Sequence, residues 1–140
     1  TIDKGSNSGI KENMAVVDYN GLIGKVSKVS KNMSEIKLIT TSDVNNKTSV
    51  VIQNGNEKIY GIINGYNNNN LEVTITSSNT EIEENLNVST TGMGGIYPSG
   101  ILVGKTVGVK SSKYDVGLIV LVKPFANFDN LRYISVLRRE

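Results

Sequence analysis

Residue types that commonly carry enzyme chemistry are sparse in this sequence. Its 140 residues include no histidine and no cysteine, so neither a Ser-His-Asp nor a Cys-His system can form, and transition metals lack their preferred ligands. For the acidic cluster at residues 81–84, a solvated loop face is favoured over a cation site. Four aspartates stand singly, outside the patterns of a protease dyad or a calcium loop: Asp18, Asp43, Asp115 and Asp129. We expect no catalysis, no cofactor and no metal; a carboxylate-based hydrolase is the enzymatic alternative.

Two glycine-containing stretches imitate nucleotide-binding loops. Gly104-Lys105-Thr106 matches the end of a phosphate-binding loop, but Ser99 stands where the first glycine of that loop is required. Gly92-Met93-Gly94 begins like a dinucleotide fingerprint, but Tyr97 replaces its third glycine and no helix is predicted to follow. Both patterns fail, and nucleotide binding is not expected.

The most informative stretch is the whole segment from Thr91 to Lys105. Three glycines between residues 92 and 95 permit backbone angles that are closed to other residues. Pro98 favours an extended conformation for Tyr97, and Pro98 to Gly100 predict a turn into the next strand. The segment is therefore either an ordinary start of a hairpin or a more specialised backbone-shaping device.

The composition predicts an all-β protein. The sequence has 16 Val and 15 Ile against only two Ala, the reverse of what helices select. Leu71–Thr76 alternates apolar and polar residues with the period of a half-buried strand. Gly117–Val122 is continuously apolar from Leu118, which predicts a central strand buried on both faces. The other predicted strands are Ala15–Asp18, Leu22–Val29, Glu35–Ile39, Ser49–Ile52, Lys58–Ile63, Leu86–Ser89, Ile101–Val109 and Leu131–Leu137.

Turn chemistry separates these strands. Asn20-Gly21, Asn54-Gly55, Asn64-Gly65 and Pro98-Ser99-Gly100 supply the tolerance of positive φ, or the fixed φ, that tight turns require. Short strands joined by tight turns predict a sandwich or a barrel.

An internal similarity bears on domain organisation. Gly21–Val26 and Gly100–Lys105 each begin at a tight turn and each place Gly-Lys inside a strand, where a bulge or sharp bend is expected. Duplication of a small β unit and convergent use of one β device both explain this similarity. We predict a first unit at residues 1–77 and a second at residues 78–140, with an uncertain boundary and possible strand exchange.

Charge and asparagine content bear on partners. The net charge is +2 with scattered basic residues, and the absence of tryptophan removes stacking platforms, so nucleic acid is not an expected partner. The 18 asparagines, including Asn67–Asn70, are attributed to loops encoded by an AT-rich genome. A glycan-binding or adhesive β module that uses these loops is the alternative function.

Residues 91–105 resemble the C-terminal β region of the MreC family of bacterial rod shape-determining proteins. The resemblance extends to Ile2–Ser6 and Gly21–Val26 and, near the C-terminus, to Val122-Lys123-Pro124. The residues that carry the family pattern are Gly21, Gly24, Gly92, Gly94, Gly95, Ile96, Tyr97, Pro98, Gly100, Val103, Gly104, Lys105 and Pro124. The departures from it are Ser99, Leu102 and Thr106.

The resemblance implies two small antiparallel β-barrels in tandem on the extracytoplasmic side of the cytoplasmic membrane. It also implies a membrane-spanning helix and a coiled coil before this region, neither of which is in this sequence. That helix would be the only contact with the membrane. The implied function is a non-catalytic scaffold for cell-wall elongation and cell shape. The implied partners are MreD, RodA, a class B penicillin-binding transpeptidase and other copies of the protein. The residues that contact these partners are not identified by the sequence.

Overall fold

The computed structural model describes residues 1–41, 48–75, 82–93, 97–111, 118–128 and 134–137. These residues form an all-β structure, which confirms the predicted fold class. A 3-10 turn, Ser6–Ser8, precedes the first strand. The strands are β1 (Ala15–Val17), β2 (Leu22–Val29), β3 (Ser34–Leu38), β4 (Thr48–Asn54), β5 (Glu57–Asn67), β6 (Asn70–Ile75), β7 (Asn87–Thr90), β8 (Leu102–Ser111), β9 (Leu118–Pro124) and β10 (Ser135–Val136).

The strands form two antiparallel assemblies. β4, β5, β6, β9, β8 and β7 pair in that order and close into a barrel, whereas β10, β1, β2 and β3 form an open sheet. The boundary predicted between residues 77 and 78 therefore falls inside the barrel, because β4 pairs with β7 and β6 pairs with β9 across it. In the described residues the division between the assemblies follows β3, and β10 returns to pair with β1.

Burial on alternate residues builds the two cores. In β6, Leu71, Val73 and Ile75 are buried, as the period-two pattern predicts, and Glu72 and Thr74 lie between them on the outer face. The barrel interior is mainly aliphatic and includes Val50, Ile52, Ile63, Leu71, Val73, Ile75, Val88, Val103, Val120 and Val122. β1 and the start of β2 are buried on both faces, because Ala15 and Leu22 join the barrel cluster while Val16 and Ile23 belong to a second cluster.

The predicted turns are correct with one exception. Gly55 adopts a φ of 63° between β4 and β5, as expected. Asn64-Gly65, however, lies inside β5, where the register with β6 shifts at a bulge. The turn comes at Asn68 and Asn69, whose φ angles of 52° and 66° are both left-handed. Asparagine tolerates that conformation, so the asparagine run forms the hairpin that Asn-Gly was predicted to form.

The apolar run in β9 is central in pairing but not buried on both faces. β9 pairs with β6 on one side and β8 on the other. Val120 and Val122 are fully buried, whereas Ile119 and Leu121 face outwards and are only partly buried. Since a closed barrel covers only the inner face of each strand, the prediction of two-sided burial is wrong.

The internal similarity extends to strand register. The two units are β1–β2–β3 and β7–β8–β9, and the central strand of each contains a glycine, Gly24 or Gly104, at the same point. In each unit, the pairing with the first strand has a bulge just before this glycine, and the pairing with the third strand has a bulge just after it. The register is Gly24↔Leu38, Lys25↔Lys37, Val26↔Ile36 and Lys28↔Glu35 in one unit and Gly104↔Pro124, Lys105↔Lys123, Thr106↔Val122 and Gly108↔Leu121 in the other.

The residues before each repeated unit also correspond. Asn13 and Asn85 have left-handed φ angles of 68° and 66°, and each donates its N–H to the central strand, to the carbonyls of Val26 and Thr106 respectively. A Gly-Lys pair alone does not dictate two bulges and this preceding turn. The correspondence favours duplication over convergent use of one device.

Candidate functional site

The glycine-rich segment follows Thr90, the last residue of β7. Hydrogen bonds between Thr90 and the far end of the segment close it into a loop. The buried Thr90 hydroxyl donates to the carbonyl of Pro98 at 2.6 Å and accepts from the N–H of Ile101 at 3.0 Å. The Thr90 N–H donates to the carbonyl of Ile101, and the Gly100 N–H donates to the carbonyl of Thr90. Four hydrogen bonds therefore hold the base of this loop, which we call the glycine loop (residues 91–100).

Two glycines of the loop have left-handed backbone angles. Gly92 has a φ of 79° and Gly100 a φ of 84°, angles that glycine adopts without the steric penalty of a Cβ. The predicted turn at Pro98–Gly100 is therefore correct. Gly94, Gly95 and Ile96, which the family pattern singles out, lie outside the described residues.

Tyr97 anchors the glycine loop in the barrel core. Only 7% of its surface is exposed, and it belongs to the barrel's apolar cluster. Burial raises the pKa of the Tyr97 hydroxyl to about 12, and the nearby Thr48 side chain opposes that rise. Among the described residues, no group meets full hydrogen-bond geometry with the Tyr97 hydroxyl. Tyr97 therefore acts as an apolar anchor, and its hydroxyl is poorly compensated.

The strand glycines of the family pattern allow backbones to approach closely. A Cβ on Gly24 would lie 2.0 Å from the carbonyl oxygen of Lys37, and one on Gly104 would lie 2.2 Å from that of Lys123. No side chain fits at such distances, so the role of these two residues is close approach beside a bulge. Gly21, in the turn between β1 and β2, similarly faces the backbone of Leu102.

The remaining residues of the family pattern do not converge on a reactive centre. Val103 is buried in the barrel, Lys105 is exposed opposite Lys123, and Pro124 ends β9 opposite Gly104. Most of the pattern therefore shapes the backbone and the core.

An exposed apolar patch lies beside the glycine loop. Tyr60 and Ile62 on the outer face of β5 are 55% and 42% exposed, and Met93 of the loop is 62% exposed. The three residues line a shallow groove of about 210 Å³. Large apolar side chains grouped on a surface are a common sign of a protein contact, and tyrosine and methionine are enriched in such interfaces. We call Tyr60, Ile62 and Met93 the outer patch.

The outer patch was not predicted from the sequence, although a signal for it was present. Ile59 and Ile63 are buried on the inner face of β5, so the alternation of a strand sends Tyr60 and Ile62 outwards. An apolar run on a strand of a closed barrel thus has an outer face that the barrel itself leaves exposed. The contribution of Met93 depends on the path of the glycine loop and is not readable from spacing.

The chemistry of the described surface suits binding. Within the described ranges, no group of three or more acidic residues could hold a metal ion. An ion pair between Glu72 and Lys110 at 2.5 Å crosses the outer face of β9. No helix in the described part of the chain is long and apolar enough to cross a membrane.

Comparisons with known proteins agree with this architecture. The sequence profile of the rod shape-determining protein MreC, barrel core, matches residues 1–138. The cell shape-determining protein MreC of Listeria monocytogenes is 37% identical over 140 residues, which cover 99% of this chain and 47% of that protein. A solved MreC structure from Listeria monocytogenes superposes with a TM-score of 0.89 at 36% identity, covering 98% of this chain and 66% of that chain.

A second structural neighbour includes a partner. It is a complex between a penicillin-binding protein, PBP2, and MreC from Helicobacter pylori. The superposition has a TM-score of 0.66 at 26% identity and covers 89% of this chain and 78% of that chain. The chain described here spans about half the length of the curated relatives it matches.

Proposed function

This chain belongs to the MreC family of rod shape-determining proteins, and from that premise we propose that it is a non-catalytic scaffold of the cell-wall elongation machinery. It maintains cell shape by binding other proteins and further copies of itself, on the extracytoplasmic side of the cytoplasmic membrane. The absence of histidine and cysteine supports a role without nucleophilic catalysis.

The outer patch is the observation that carries this proposal. Tyr60, Ile62 and Met93 remain exposed although each has a large apolar surface. Burying these side chains against a partner would remove that surface from water, at about 25 cal/mol per Å² of apolar area. Tyr60 and Ile62 lie on β5, which is paired on both sides, so a partner would contact side chains rather than extend the barrel.

The first partner that we propose for this patch is a class B penicillin-binding transpeptidase. A relative with the same fold is described in complex with such a protein. MreD, RodA and a second copy of the chain are further proposed partners.

Binding to the extracytoplasmic part of the elongation transpeptidase from the same cell tests the proposal. A variant with both Tyr60→Ser and Ile62→Ser should raise the Kd of the complex at least tenfold in biolayer interferometry, since central apolar anchors carry most of the binding energy. Val109→Ser is the matched control, because Val109 is an exposed apolar residue that does not line the groove. Unchanged affinity in a folded double variant would remove the outer patch from the interface.

A further inference from the structure

A second groove lies where the barrel meets the segment that leads back to the open sheet. Its volume is about 250 Å³. The lining residues are Tyr66, Asn69, Lys123, Pro124, Phe125, Ala126, Asn127 and Phe128. Phe128 packs against both apolar clusters, and the N–H of Asn127 donates to the Asp18 carboxylate at 3.3 Å. The groove is therefore held at the junction of the two assemblies, the kind of location where ligand sites are frequent.

Aromatic residues are concentrated in this groove. The whole chain has only six tyrosines, two phenylalanines and no tryptophan. Both phenylalanines, Phe125 and Phe128, line the groove together with Tyr66, and all three side chains are half-buried. Tyr66 and Phe128 also pack against the barrel's apolar cluster, yet each of the three residues keeps part of its surface accessible. A half-buried ring offers a rigid apolar surface to a ligand.

Polar donors border these rings. Asn69 lies in the hairpin turn between β5 and β6, and Lys123 is exposed near the end of β9. Within the described part of the chain, no side-chain hydrogen bond or ion pair engages either residue. None of the described residues that line the groove is acidic. An amide and an ammonium group are thus available beside aromatic rings.

We propose that this groove binds one ring of an oligosaccharide that carries acetamido groups. The C–H bonds on one face of a sugar ring carry partial positive charge and are attracted to the negative face of an aromatic ring. Asn69 and Lys123 would donate to the hydroxyl and acetamido carbonyl oxygens. Apolar walls with a few placed polar groups are the usual composition of a small-molecule site, and about 250 Å³ is just below the usual size range, which fits a single ring.

A sugar fits this groove better than an extended peptide does. Peptides commonly bind barrels by adding a strand to an exposed edge. β5, β6 and β9, which border the groove, are paired on both sides within the closed barrel. The groove therefore offers rings and side-chain donors but no free strand edge.

Titration of the purified protein with chitotetraose, monitored by NMR, tests the inference, with cellotetraose as the sugar that lacks acetamido groups. We expect chitotetraose to bind with a Kd of about 1 mM or lower and cellotetraose to bind at least fivefold more weakly. Asn69→Gly keeps a residue suited to left-handed φ and should weaken chitotetraose binding about five- to tenfold. Asn68→Gly is the matched control in the same turn and should change the affinity less than twofold, because Asn68 does not line the groove.

A second pair of variants tests the rings. Phe125→Leu keeps apolar volume but removes the aromatic face and should weaken binding of both sugars at least fivefold, whereas Tyr60→Leu, on the outer patch, should leave it unchanged. Thermal melting confirms that each variant is folded.

No chitotetraose binding at 10 mM, or binding that is insensitive to Phe125→Leu and Asn69→Gly, would overturn the inference. Equal affinity for the two sugars would overturn the acetamido assignment. The transpeptidase measurement tests the outer patch, and the sugar titration tests this groove. Either proposal can therefore fail while the other stands.

Discussion

The carbonyl oxygen of Leu102 occupies the space that a side chain on Gly21 would need, since a Cβ there would lie 2.7 Å from it. Gly21 closes the turn between β1 and β2, where the Asp18 carboxylate accepts its N–H at 2.9 Å. Leu102 begins β8. This contact joins the open sheet to the barrel through backbone atoms alone, so it depends on the absence of a side chain.

We expect Gly21→Ala to lower the free energy of unfolding by about 1–3 kcal/mol, because the added methyl group pushes the turn away from β8. Urea denaturation followed by circular dichroism measures the change. Asn20→Ala, at the exposed neighbouring position, should cost less than about 0.5 kcal/mol. A Gly21→Ala variant as stable as the unaltered chain would show that the turn can shift at no cost.

Two glycines of β8 provide a matched test of close approach. A Cβ on Gly104 would lie 2.2 Å from the Lys123 carbonyl oxygen, whereas one on Gly108 would meet only the Leu121 Cδ1 at 3.9 Å. Gly104→Ala should therefore destabilise the barrel by about 2–4 kcal/mol, and Gly108→Ala should be neutral or slightly stabilising. Chemical denaturation of both variants gives the comparison. Equal effects would contradict the assignment of Gly104 to a close backbone contact.

Tyr97 should make stability depend on alkaline pH. Its pKa rises from 10.0 in the unfolded chain to about 12 in the fold, so its stabilising contribution is complete below pH 10 and is lost as pH rises towards 12. Relative to Tyr97→Phe, the unaltered protein should lose about 1.4 kcal/mol more stability between pH 8 and pH 11. Urea denaturation at the two pH values measures this difference, and parallel losses in both proteins would refute it.

Thr90 should contribute to stability through its hydroxyl. Thr90→Val keeps the side-chain shape but leaves the Pro98 carbonyl and the Ile101 N–H without their partner. The expected loss is about 1–3 kcal/mol, together with faster amide exchange at Ile101. Thr74→Val, which removes an exposed bond to Asn64, is the control and should cost less than about 0.5 kcal/mol. Unchanged exchange at Ile101 would mean that the backbone bonds alone close the glycine loop.

Local patterns were sufficient to predict most strands. The alternation in β6 and the glycine turn at Gly55 are local features. They depend only on neighbouring residues, so residue propensity and the pleat of a strand are enough to predict them. Asn64-Gly65 misled the turn prediction because the same dipeptide that suits a hairpin also suits a bulge. Only pairing with β6 distinguishes the two, and that pairing moves the turn to Asn68 and Asn69.

The candidate sites were harder to predict because they depend on distant parts of the chain. The glycine pattern was recognised, but the close contacts of Gly24 and Gly104 become visible only when neighbouring strands are in place. The groove between the barrel and the segment that leads back to the open sheet combines Tyr66 with Phe125, which are far apart in the sequence. Strand closure brings them together, and no spacing rule encodes that closure.

The return of β10 to β1 has a mechanical consequence. Val16 pairs with Val136, and the N–H of Leu137 donates to the Ala15 carbonyl, so tension on the chain before Ala15 and after Leu137 pulls on the same end of this strand pair. Antiparallel strands loaded in this way separate one hydrogen bond at a time, so this pair resists tension at these two points less than it would resist shear along its length.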